Sequence, residues 1–271
     1  MLSHKRPYQD RAWIKWGVRK KLQGRFLSAF SVCILPQILP WLMRLMPTNF
    51  GIVNIQITNM SIIGISLPML ALSLLATIFV TDPMQVKIAA YFLRLNRDPE
   101  NLPSPLSVCD CFGPGYGRLV LGMLLRNLRI WAWSIVPLVI GLVAFRSFEW
   151  VEMSGYDAIR LSPMFAAVML VAVGCVVYWD IVYEMVPYLL ADDPLISPAD
   201  ALRKSRELTR GRVAELLFLQ ISFIGWAFLA IMTMFIGAIY MYPYMEGTVA
   251  AYYLAFITPT SSPEKDEAYA A

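Results

Sequence analysis

A chain of 271 residues that is 58% hydrophobic and only 15% charged falls outside the usual soluble range of about 45–50% apolar and about 25% charged. Its mean hydropathy is +0.57, which excludes a disordered or collagen-like chain. The net charge of +4 would suit nucleic acid, but the basic residues cluster in segments between helix-length apolar runs in the pattern of a membrane protein, so nucleic acid is not expected as a partner.

In chain order, residues 1–25 form a basic leader. Over 8–23 it interleaves Trp13, Ile14, Trp16, Val18 and Leu22 with Lys and Arg and stops at Gly24, the pattern of an amphipathic helix on the inner membrane surface. Residues 26–257 make one membrane domain. A helix crosses a hydrocarbon core about 30 Å thick with about twenty apolar residues, and five stretches qualify: 26–46, 62–80, 123–145, 163–183 and 216–240. In lipid these must be helices, because each backbone polar group has to be satisfied within its own segment. Pro36 and Pro40 kink the first without excluding it. Asp82-Pro83 reads as the N-cap and first turn of a second surface helix. Ser197-Pro198, with Asp200 three residues after the serine, reads as a capping-box start to a third that closes at Gly211. The segment 242–257 is apolar and Tyr-rich but short, and reads as re-entrant or interfacial; if it crosses, the spans number six. Residues 258–271 are a polar tail, expected to be external and disordered. The fold class is therefore all-α, a polytopic helical membrane protein of about five spans with basic amphipathic helices at the interface.

Of the 23 Lys and Arg residues, all but Arg44, Arg146, Arg160 and Lys265 fall on one side of these spans. Positive residues stay cytoplasmic, so the N-terminus is expected inside and, with five spans, the C-terminus outside. Asp180 and Glu184 lie one turn apart in the fourth span, and Arg126 and Arg129 at the start of the third. Antiparallel neighbours would bring these four to one depth as an interfacial ion-pair cluster; snorkelling to headgroups is the alternative. Arg203, Lys204, Arg206 and Arg210 on the third surface helix form a candidate lipid or partner surface.

Catalytic signatures are missing. His4 is the single histidine, so no histidine triad or His-based metal site can be built. Cys109 and Cys111 have no further Cys or His beside them, while Cys33 and Cys175 lie in apolar runs as small hydrophobes. No cofactor is expected. Span two, Asp82-Pro83, a basic helix and span three are faintly echoed by span four, Asp193-Pro194, a basic helix and span five, as in transporter repeats.

From Asp192 onward the motifs become specific: Asp192-Asp193-Pro194, Ala201-Leu202, Ser205-Arg206, Gly211, Ser222 to Trp226, Pro243-Tyr244 and Thr248 to Tyr253 occur in that order. They resemble the domain-of-unknown-function family numbered 975, as do Tyr91 to Arg94, Trp131 to Trp133 and the leader ending at Gly24. The resemblance implies a bacterial polytopic membrane protein, multi-pass in the cytoplasmic membrane, and no established activity. The expected function is non-catalytic, by association with lipids, with membrane or envelope partners or with a second copy of itself. The alternative is a transporter or permease subunit for a small solute or ion, which the repeat, the kinked first span and the Asp180/Glu184 pair favour.

Overall fold

The computed structural model describes residues 11–45, 52–57, 60–148, 163–234 and 236–258. Helix α1 (Arg11–Leu22) turns through Gly24, whose φ of 79° suits a residue without Cβ, into α2 (Phe26–Leu45). A hairpin of β1 (Ile52–Ile57) and β2 (Met60–Ser66) follows, antiparallel with Ile52 opposite Ser66 and Ile57 opposite Met60. The remainder is helical: α3 (Leu67–Ala76), a π-helical turn Thr77–Thr81, α4 (Asp82–Arg97), a 3-10 helix Pro105–Phe112, α5 (Tyr116–Phe148), α6 (Pro163–Val182), α7 (Val186–Asp192), α8 (Pro198–Thr209), α9 (Val213–Ile221), α10 (Ile224–Met232) and α11 (Ile236–Ile257). The chain is thus predominantly helical, as its composition implies. Among the described residues four stretches are long and apolar enough to cross a membrane: Ala71–Arg97, Tyr116–Pro137, Leu170–Asp192 and Val213–Met232. The first predicted span is helical but counts here as a shorter apolar helix, Phe26–Ile38.

Several expectations change. The second span does not begin at Ile62, because Met60–Ser66 pairs with β1; the β-branched run there suits a strand as well as a helix. Nor does Asp82-Pro83 start a separate surface helix. Thr81 makes no side-chain cap, and α3, the π turn and α4 run on continuously. Pro83 has no N–H to return to the carbonyl of Phe79, four residues back, and the Tyr116 hydroxyl donates to that carbonyl instead. The π turn lies directly before Pro83, and the helix continues through it rather than ending. Helix α4 is buried on most sides, with Val86, Ile88, Ala89, Tyr91, Phe92, Leu93 and Leu95 in the core.

Helix α1 buries the stripe Ile14, Val18 and Leu22 and leaves Trp13 and Trp16 outside, the amphipathic pattern read from the leader. Its inner face is pressed into the bundle. A Cβ on Gly247 of α11 would stand 2.9 Å from Val18 Cγ1, so the two helices meet where any larger residue would force Val18 to shift. Lys21 donates to the Asn96 carbonyl at 2.7 Å, and Asn96 Nδ2 to that of Gly247 at 3.0 Å. Burial pulls the Lys21 ammonium below its ordinary pKa, as desolvation of a cation requires.

Helix α8 starts as its sequence predicts. The Ser197 hydroxyl oxygen accepts from the Asp200 N–H at 3.1 Å, and Gly211 at φ 75° closes the far end. The predicted fifth span stops at Met232 and reverses at Thr233 and Met234, the latter at φ 53°. A Cβ on Gly237 would lie 3.0 Å from Ala230 Cα, which is how closely α11 folds back on α10. The segment 242–257 is therefore no separate re-entrant piece but the larger part of α11, with Tyr244, Val249, Ala250, Tyr252 and Tyr253 buried. Arg212, preceding α9, stands over the Phe256 ring at 4.5 Å, so α11 ends at the level where α9 begins. Lys5, Arg6, Arg160, Lys265 and the tail from 259 onward lie outside the described residues.

Candidate functional site

The fourth span is broken, and the candidate site is built around the break. Helix α6 ends at Val182 and α7 restarts at Val186, with Tyr183, Glu184 and Met185 in a turn. Pro187 explains the position: it offers no N–H to the carbonyl of Tyr183. Carbonyls released at membrane depth need other donors, and side chains supply them. Tyr183 O keeps a backbone donor, the Val186 N–H at 3.2 Å, and also accepts from Arg126 Nε at 3.1 Å. Val182 O accepts from Ser205 Oγ at 2.9 Å and from Thr209 Oγ1 at 3.3 Å. Ser205 and Thr209 sit one turn apart on the buried face of α8, so α8 is clamped to the break.

Arg126 organises what surrounds it. Its Nη2 donates to Asp180 Oδ1 at 2.6 Å, and Nη1 to Asn127 Oδ1 at 3.3 Å. Asn127 Nδ2 in turn donates to Asp82 Oδ2 at 2.7 Å. The guanidinium is thus engaged through all three nitrogens and reaches neither Glu184 nor Glu246. Glu184 Oε1 accepts from Gln220 Nε2 of α9 at 3.2 Å, whereas its Oε2 is buried with no hydrogen-bond partner. Glu246 of α11 accepts from the Tyr188 hydroxyl at 3.0 Å. Four carboxyl side chains, from α4, α6, the break and α11, are gathered about one arginine.

Of the four residues expected to cluster, Arg126 and Asp180 form the ion pair, with Asp180 48% exposed. Glu184 turns away to Gln220. Arg129 is exposed and enters no ion pair among the described residues. Sequence reasoning missed Asp82, Asn127, Gln220 and Glu246. Glu246 carried a usable signal, a lone acid in an apolar run; the polar partners became visible only once α4, α5, α9 and α11 were assembled.

The second predicted surface, the outer side of α8, divides in two. Arg203 is 73% exposed beside Asp200 at 2.8 Å, and Lys204 and Arg210 are exposed as well. Arg206 does other work: it donates to the Tyr183 hydroxyl and lies over the Trp179 ring at 5.8 Å, in a stack that continues from Trp179 to Trp133 at 4.9 Å. At the same end of the bundle Arg118 donates to the carbonyls of Leu190, Asp193 and Ile196, closing the C-terminus of α7 where a cation is favoured. Arg97 pairs with Asp192 at 2.6 Å, and Tyr253 donates to the same carboxylate at 3.1 Å.

Among the described residues no group of three His, Cys, Asp or Glu side chains is arranged to hold a metal ion. Burial pushes the Cys111 thiol up to about 11. No curated protein and no solved structure shows significant similarity to the chain. Residues 9–258, spanning every element of the site, match the family model described as "Protein of unknown function (DUF975)", and the chain belongs to that family.

Proposed function

We propose that this helical membrane protein works by association, its basic end meeting anionic lipid headgroups or an acidic membrane partner, with no chemical reaction of its own. The observation that carries the reading is the two-sided build of α8. Its inner face is fastened to the α6–α7 break by Ser205 and Thr209, and Arg203, Lys204 and Arg210 are held outward on that fixed frame. Each basic group near an anionic surface contributes about 1 kcal/mol. The distribution of Lys and Arg supports a cytoplasmic position for this end, in the bacterial cytoplasmic membrane that the family resemblance implies.

The reading is tested by crosslinking in native membranes, then purifying the tagged chain and identifying the lipids and proteins that accompany it. Reversing Arg203, Lys204 and Arg210 together to Glu should remove most of the retained anionic lipid or the stoichiometric partner. Arg206 is left intact in this variant, because its contact with Tyr183 belongs to the fold. Retention unchanged by the reversal, or nothing retained by the unaltered chain, overturns the reading.

A second reading, a carrier for a small solute or ion, is favoured by one specific observation: a spanning helix interrupted at Glu184 with carboxyl groups facing the interruption. Discontinuous helices of this sort line the binding sites of many transporters. Flux in proteoliposomes that is lost on neutralising Glu184, with abundance preserved, would favour the carrier over association.

A further inference from the structure

Among the described residues Glu184 is the one acid with a buried side-chain oxygen that has no hydrogen-bond partner. Asp180 has Arg126, Asp192 has Arg97 and Tyr253, Asp82 has Asn127, and Glu246 has the Tyr188 hydroxyl. Glu184 has one neutral donor, Gln220 Nε2, on one oxygen and nothing on the other, which is buried. An unpartnered buried carboxylate oxygen is costly, and such an atom in a native structure calls for a missing partner.

The charges facing Glu184 say what that partner is. Asp180 lies a turn before it, Glu246 faces it from α11 and Arg126 from α5, while Tyr188 presents a hydroxyl already given to Glu246. The single cation is taken up by Asp180, by the Tyr183 carbonyl and by Asn127. Arg126 and Asp180 offset each other, so Glu184 and Glu246 face one another with no further cation between them, and the local field favours a positive ligand. One free carboxylate oxygen, with no set of three ligating side chains around it, suits a single compact positive charge rather than a divalent ion.

We propose that Glu184 is a binding site for one compact monovalent cation, a proton or an alkali ion, held in the break between α6 and α7. The site stands independently of the lipid reading of α8, from which it differs in residue, burial and ligand. Binding would complete the unfilled oxygen; release would leave a buried anion beside Asp180 and Glu246, at the turn where α6, α7 and α8 are joined. Occupancy is in this way tied to the geometry of the break.

The full-length chain, reconstituted in vesicles, is treated with dicyclohexylcarbodiimide, which attaches to protonated carboxyls in apolar surroundings, and the modified peptides are identified by mass spectrometry. Label is expected at Glu184 in mildly acidic buffer. It should fall as the buffer is made alkaline, roughly tenfold per pH unit beyond the titration point, as for any single titrating group. Asp180, half-exposed and paired with Arg126, should stay unlabelled. If sodium at fixed pH protects Glu184, the ligand is an alkali ion; if only pH matters, it is the proton. Glu184→Gln should lose the label, but labelling of the unaltered chain is what decides. Absence of label at Glu184 at every pH, or label indifferent to both pH and sodium, overturns the proposal.

Discussion

At the scale of single residues, two prolines explain much of the local design. Pro83 and Pro187 each leave a carbonyl four residues back without its usual donor, and in each case a side chain from another helix donates to it: Tyr116 to Phe79, and Arg126, alongside the Val186 N–H, to Tyr183. Arg126 is therefore a backbone cap as well as an ion-pair partner. The two cysteines of the 3-10 helix offer a residue-scale prediction. Cys109 is exposed and Cys111 is 1% exposed, with its thiol pushed up from 9.0 to about 11 by burial. Only the thiolate attacks an alkylating agent, so burial leaves Cys111 about a hundredfold less thiolate than an ordinary cysteine in mildly alkaline buffer. Iodoacetamide followed by peptide mass mapping should modify Cys109 and leave Cys111 free. Cys111 should become reactive only as the pH climbs towards 11 or when the chain is unfolded. Equal labelling of both at neutral pH would contradict the packing of this helix.

At the scale of elements, the informative contact is α1 against α11. Val18 and Phe92 close over Gly247, where an added Cβ would stand 2.9 Å from Val18 Cγ1 and 3.5 Å from Phe92 Cδ1. Ile14, Val18 and Leu22 form a stripe at helical spacing, and Lys15 donates to the Ser222 hydroxyl while standing 4.3 Å from the centre of the Phe223 ring. The leader is thus a structural helix of the bundle. Gly247→Leu should lower stability by about 1–3 kcal/mol, the usual cost of overpacking. Melting in detergent should register the loss, and proteolysis should cut faster within 11–22. A variant that melts like the parent and protects this segment would mean that α1 does not dock there. Gly247→Ala, with the smaller clash, should fall between the two.

At the scale of the whole molecule, α11 decides the topology. Because α10 and α11 reverse at Met234 and Phe256 comes to rest beside Arg212, the end of α11 returns to the end of the bundle where α9 begins. Lys21, against Asn96, lies at the C-terminal end of α4, and Arg97 of α4 is joined to Asp192, the residue to which Tyr253 of α11 also donates. The expected outcome is that both termini lie on one side of the membrane, in contrast to the external C-terminus inferred from five spans. A reporter fluorescent only in the cytoplasm, fused after Thr258, should fluoresce, and alkaline phosphatase at the same point should be inactive. The opposite pair of results would place α11 as a segment that does not cross.

What depends on composition and local chemistry was legible in the residues alone. The apolar excess requires a membrane protein, the capping box at Ser197 with Gly211 bounds α8, and the Ile14, Val18 and Leu22 spacing defines the inner face of α1. Arg126 and Asp180 were legible as partners because antiparallel helices place them at equal depth. The rest depends on contacts between segments far apart in the chain. Asp82-Pro83 looks like a helix start, but a π turn carries the helix through it, and the carbonyl Pro83 leaves free is taken by a distant hydroxyl, that of Tyr116. Ile62 to Ser66 suits strand and helix alike, and pairing with β1 settles it. Glu184 looked like a second anion for the arginine pair, yet the break at Pro187 turns it towards Gln220 and leaves one oxygen unfilled. Local signals report what a segment can form, whereas partners for freed carbonyls and buried charges come from segments far along the chain.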